Sequence, residues 1–129
     1  MVEGNYAYVT LRSGVNCRNT VLNQLDVIDL TDKVHPSILV SYNLTNPHGL
    51  GIDNHILFLC DGSDGLKIYN ATDVFHITQS PISHFQNIQA TDVIPVNGLL
   101  FMIGDDGFYQ YDYTDLQNVK LLSSIKVTK

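Results

Sequence analysis

The chain has no tryptophan and a single glutamate, Glu3, against twelve aspartates. Glutamate suits helix interiors, whereas aspartate suits turns and caps. With nine glycines and abundant asparagine, this skew argues for many turns and little helix. One glutamate also excludes a glutamate pair working as general acid and base. No run of 18 apolar residues is present, so no spanning helix and no direct membrane insertion are expected. Seven Lys and Arg face thirteen acidic residues, and the net charge of −6 disfavours nucleic acid and anionic membrane as partners. Cysteine is scarce: Cys17 and Cys60 allow one disulfide without requiring it. Glycine-rich phosphate loops, Gly-x-Ser-x-Gly elbows and a Cys/His catalytic pair are all missing.

What is present is a phrase written three times. Leu25-Asp26-Val27-Ile28-Asp29-Leu30-Thr31-Asp32 returns as Leu66-Lys67-Ile68-Tyr69-Asn70-Ala71-Thr72-Asp73, and again as Phe108-Tyr109-Gln110-Tyr111-Asp112-Tyr113-Thr114-Asp115. The spacing of about 41–42 residues belongs to repeat arrays and propeller blades. With 44% hydrophobic and 16% charged residues over 129 positions, the chain is expected to bury a core as one domain.

Around each phrase the same order of strand signals recurs. Tyr6–Leu11, Ile56–Cys60 and Leu99–Ile103 each follow an Asn-containing turn and precede a Gly-containing loop. After the phrase come Ile38–Tyr42, Ile82–Phe85 and Lys120–Ile125, and before the second and third units His48–Ile52 and Thr91–Pro95. Eleven strands result, with the innermost strand of the first unit missing. Ile56-Leu57-Phe58-Leu59-Cys60 and Leu99-Leu100-Phe101-Met102-Ile103 are apolar at odd and even positions alike. A strand wetted on one face alternates, so these are expected to be covered on both faces. Sheets stacked around an axis provide that cover. The expected fold is all-β and β-propeller-like. It has about three four-stranded antiparallel blades, at about 1–44, 45–88 and 89–129, the first lacking its innermost strand.

Leu25-Asp26-Val27-Ile28-Asp29 resembles the signature of the LVIVD-repeat β-propeller family, with Leu66–Asn70 a fair copy and Phe108–Asp112 keeping the acidic end and the spacing. Gly4-Asn5-Tyr6-Ala7-Tyr8-Val9 is similar to that family's strand entry. The resemblance covers the whole chain as three blades. It implies a bacterial protein of Bacteroidetes-like surface or exported type, periplasmic or on the cell surface. The family has no agreed catalytic motif, so no active-site residues are carried over, and no cofactor is expected. The chain departs from the family in blade number, because three blades do not comfortably close a ring. Self-association, or the remaining blades of a longer parent, is therefore expected.

Antiparallel order gathers the loops Arg12–Gln24, Thr45–His48, Asp61–Asp64, Asn87–Asp92 and Asp105-Asp106 on one edge. Binding is expected there and near the channel, through Arg12, Arg18, His48, Asp61, Asp92 and Asp105. Repeat alignment sets His48 opposite Thr91 and Gly49 opposite Asp92. The first loop is longer than its counterparts by roughly eight residues, as functional loops often are. Asp61-Gly62-Ser63-Asp64-Gly65 lacks the spacing of a calcium loop and reads as a tight turn, so no metal is expected. Cys17 and Cys60 share the same edge and are a candidate disulfide; the alternative is a buried thiol at Cys60. Tyr109, Tyr111 and Tyr113 form a stripe at strand spacing, suited to packing between blades or to a sugar or peptide platform. The function expected is a non-enzymatic binding scaffold with a protein or carbohydrate ligand. The alternative is a propeller enzyme acting on a sugar, lipid or small metabolite near the channel.

Overall fold

The computed structural model describes residues 1–14 and 22–127. These residues form twelve strands: β1 (Val2–Glu3), β2 (Tyr6–Leu11), β3 (Gln24–Asp29), β4 (Ser37–Asn43), β5 (Leu50–Asp53), β6 (Ile56–Cys60), β7 (Leu66–Asn70), β8 (Pro81–Phe85), β9 (Asp92–Val96), β10 (Leu99–Gly104), β11 (Gly107–Asp112) and β12 (Lys120–Lys126). They build three four-stranded antiparallel sheets, β1–β4, β5–β8 and β9–β12, each ordered as in the sequence. Helix among the described residues is confined to two 3₁₀ turns, Gly62–Asp64 and Ile77–Gln79.

The first sheet does not lack its innermost strand, which corrects the expectation from sequence. Val2 and Glu3 pair with Ala7 and Tyr6. The backbone N–H of Tyr8 donates to the Met1 carbonyl at 2.8 Å, and the Met1 ammonium donates to the Tyr8 carbonyl at 3.0 Å. So short a strand has no side-chain period to read; main-chain pairing alone holds it.

The triplicated phrase owes its shape to two consecutive side-chain turns. The carboxylate or amide oxygen of Asp29, Asn70 and Asp112 accepts the N–H two residues on, at 2.7, 2.9 and 2.8 Å. Asp32, Asp73 and Asp115 then do the same for Val34, Phe75 and Gln117, each at 3.0 Å. Such Asx turns need an oxygen on a short side chain, so Asp and Asn persist here while the apolar positions drift. Asn54 and His55 (φ 49° and 60°) and Asn97 and Gly98 (φ 48° and 85°) turn the hairpins β5–β6 and β9–β10. Two successive positive φ values match the twist of paired strands.

Each sheet also bulges at the same step. Pairing of the phrase strand with its outer neighbour slips between Val27 and Ile28, between Ile68 and Tyr69, and between Gln110 and Tyr111. Leu39, Ile82 and Leu122 are left as the extra residues, and a bulge increases local twist.

The second sheet is sandwiched. Leu57 and Leu59 pack with Tyr8, Leu25 and Val27 of the first sheet, while Phe58 and Cys60 pack with Leu100 and Met102 of the third. All four β6 side chains named are fully buried, as their lack of alternation requires. β10 differs: Leu100 and Met102 are buried, but Ile103 is 55% exposed. The second and third sheets approach closest at their inner strands. Gly49 N–H donates to the Thr91 carbonyl at 2.8 Å, and a Cβ on Gly51 would collide with Pro95. Ordinary face-to-face sheets stand about 10 Å apart, so the two sheets meet much more closely than that along β5 and β9.

Candidate functional site

The two clefts between sheets can be compared position by position, because cross-strand register and the repeated phrase fix the matches. Ile56 pairs with Asn70 and Leu99 with Asp112, so Asp61 matches Gly104 and Lys67 matches Tyr109. Between the first and second sheets the cleft is filled. Asp61 is fully buried and accepts the backbone N–H groups of Asn46 at 2.7 Å and Thr45 at 3.2 Å. Lys67 Nζ closes on it at 2.7 Å and also pairs with Asp64. Burial opposes the Lys67 charge, but hydrogen bonds to Asp61 and Asp64 outweigh it and raise the ammonium's pKa. The hydrogen bond from Lys67 lowers that of Asp64. The acidic loop is thus neutralised from within, in keeping with a tight turn.

Between the second and third sheets neither member of that pair is present. Gly104 has no side chain, and Tyr109 cannot supply a cation. A cavity of about 610 Å³ lies there, lined by His48, Asn46 and Ser63 from the second sheet's loops, by Asn87, Gln89 and Thr91 from the β8–β9 connection, and by Asp105, Asp106, Tyr109, Tyr111 and Lys126 from the third sheet and its loop. That volume is in the range of small-molecule sites. The rings of Tyr109 and Tyr111 are stacked, with centroids 6.3 Å apart, along its outer wall. At the rim Lys126 Nζ bonds Asp106 at 2.6 Å and the Tyr109 hydroxyl at 2.5 Å, and the Tyr109 hydroxyl also donates to Asp106. Hydrogen bonds from Lys126 and then Tyr109 hold the Asp106 carboxyl below its usual pKa.

His48 sits at the head of the cavity with its backbone fixed on both sides. Its N–H donates to the Cys60 carbonyl at 2.8 Å, and its carbonyl accepts the Thr10 hydroxyl at 2.7 Å. Arg12 Nη1 is 2.8 Å from both ring nitrogens. Burial, then the Arg12 charge, hold the imidazole below its ordinary pKa, against the opposing pull of Asp105 and Asp61.

The residues expected from sequence to bind fall into four positions. His48 and Asp105 line the cavity, and Arg12 touches it through His48. Asp61 is fully buried under Lys67 in the neighbouring cleft. Asp92 packs against Gly49 and accepts the Val93 N–H at 2.9 Å. Arg18 and Cys17 lie outside the described residues; Cys60 is a buried free thiol, pushed up to about 12 by burial and then by the Asp92 charge. Of the tyrosine stripe, Tyr113 is buried against Phe58, with centroids 4.8 Å apart, while Tyr109 and Tyr111 face the cavity. Lys126, near the far end of the chain, was not anticipated. The signal for it was the swap of Lys67 for Tyr109, which leaves an acidic loop in need of a cation from elsewhere. Among the described residues no group of three or more His, Cys, Asp or Glu side chains converges as a metal site. The chain matches no protein-family model and none of the curated proteins.

Proposed function

We propose that the chain is a non-enzymatic binding scaffold built from three propeller blades, and that it takes a neutral, hydroxyl-rich ligand of the saccharide class in the cleft between the second and third sheets. The blade reading is supported by the close approach of β5 and β9 at Gly49, Gly51 and Pro95, since blades converge on an axis at their inner strands. It agrees with the LVIVD-type phrase at Leu25–Asp29, and with it we propose a bacterial exported or surface setting.

One observation carries the ligand site: the cleft that Asp61 and Lys67 fill on one side of the second sheet is open on the other, where Gly104 and Tyr109 stand. The Tyr109 and Tyr111 rings line the cleft for contact with sugar C–H groups, with Lys126 Nζ 4.7 Å from the Tyr109 centroid on one face, and Asn87, Gln89, Thr91 and Asp105 supply hydrogen-bond partners for hydroxyls. Lys126 pairs with Asp106, and Arg12 stands behind His48 on the same side as Asp105, so the lining is close to charge-balanced, which suits a neutral ligand. His48 is bonded to Arg12, not to a carboxylate, so the site orients and does not assemble an acid–base pair.

The test is an amide-resolved NMR titration with a panel of neutral mono- and oligosaccharides. Shifts centred on Gln89, Thr91, Asp105 and Tyr109 are expected, with Tyr109→Ala weakening binding by about tenfold. Absence of any shift in the cleft across the panel would overturn the ligand class.

A further inference from the structure

The faces at the two ends of the stack are unequal to any ordinary surface. On the third sheet Ile94, Ile103, Phe108 and Ile125 are 60%, 55%, 38% and 68% exposed, all on one face. On the matching face of the second sheet Phe58, Cys60, Leu66 and Ile68 are fully buried. On the first sheet Val2 and Val9 are exposed on the face whose counterparts in the second sheet, Ile52 and Leu59, are buried. The chain exposes 7654 Å², roughly 800 Å² more than a compact monomer of 14.4 kDa. That excess is about what one partner contributes to a standard interface.

We propose that the partner is a second copy of this chain. The third sheet of each copy stacks on the first sheet of the other, closing a ring of six sheets. This rests on the blade reading above. Two features fit these two faces to each other. Every such stacking inside the chain already pairs the faces of these two types, so the contact repeats a geometry the sequence has solved twice.

The polar residues also coincide. Gln110 and Ser123 interrupt the third sheet's open face at the level where Gln24, Asp26 and Ser41 interrupt the first's. Asp26 already accepts Gln24 and Ser41 at 2.6 Å each, and its unused lone pairs suit the Gln110 amide.

Two identical contacts related by a twofold close the assembly and leave no open end.

Sedimentation velocity of the full chain across low to high micromolar concentration tests this, with Ile103→Lys and Val9→Lys as single variants on exposed side chains. The expected result is a species of twice the 14.4 kDa chain mass, shifted to monomer by either variant, with unchanged circular dichroism. A monomer throughout would overturn the proposal and leave the open faces to other blades. Loss of the dimer with Ile103→Lys but not Val9→Lys would overturn it in favour of like faces pairing. A ladder of higher masses would overturn ring closure. Saccharide binding in the cleft is a property of one chain, so the NMR titration succeeds or fails independently of these masses.

Discussion

Asp61 and Lys67 form an ion pair 2.7 Å apart in the first cleft, and the residues at the same two positions in the next cleft are Gly104 and Tyr109. The pair holds the loop amides of Thr45 and Asn46 as well as closing the space. Lys67→Met would leave a fully buried carboxylate with two amide donors and no counter-charge. Removing one member of a buried pair costs about 3 kcal/mol or more. A urea midpoint well below that of the parent is expected, whereas Lys126→Met, at the exposed rim, should leave the midpoint nearly unchanged.

Tyr42 joins the first two sheets through its hydroxyl, which donates to the Val74 carbonyl at 2.5 Å and accepts the Ile77 N–H at 3.2 Å. All three residues are buried. Tyr42→Phe strands two buried backbone groups, at a cost of about 1–3 kcal/mol. Equilibrium unfolding should show a loss in that range; no loss would mean that neither bond stabilises the interface.

His48 makes stability depend on pH. Burial and Arg12 lower its folded pKa below 6.5, so on acidification the unfolded chain takes a proton the folded chain refuses. The sign follows: its contribution is complete above 6.5 and is lost as pH falls from 6.5 toward the folded value. Thermal unfolding on either side of that pH should show a smaller drop for His48→Gln than for the parent. Asp29, Asp32, Asp73 and Asp112 act lower. Their pKa values fall below 3.8, chiefly through side-chain bonds to Thr31, His35, His76 and Thr114, so their contribution is lost as pH falls beneath 3.8.

Cys60 is predicted to be inert in the native state. A thiol pushed up to about 12 and fully buried gives almost no thiolate at mildly alkaline pH. A thiol reagent should fail to label it until denaturant is added, and then label it without prior reduction. A requirement for reductant would show a bond to Cys17.

Much of this fold was legible because its repeat is enforced by backbone chemistry. The Asx oxygens at Asp29, Asn70 and Asp112 and the hairpin Asn54 and Asn97 mark the same joints in each unit, and the strands between them follow. The bulges at Leu39, Ile82 and Leu122 were not legible, since an extra apolar residue beside a strand looks like part of its run. β1 was hidden by its length. The shared loop edge of His48 and Asp105 could be read from strand order, but their roles could not. Whether an Asp lies buried, as Asp61 does, or borders a cavity depends on the cation opposite. That cation comes from two strands with no common pattern: Lys67 in the phrase, Lys126 in the outer strand.

The measurement closest to the central claim is saccharide binding by a variant in which the open cleft is given the contents of the filled one, Gly104→Asp with Tyr109→Lys. Gly104 has a negative-φ backbone, and a Cβ there meets the Gln89 carbonyl at 3.1 Å, a tight but local contact. Tyr109→Ala, which removes the ring without filling the cavity and is expected to weaken binding about tenfold, serves as the companion variant. The parent is predicted to show saccharide-dependent shifts in the cleft, and the double variant, folded by circular dichroism, to show none. A folded double variant that binds the same saccharides as tightly as the parent would contradict the account.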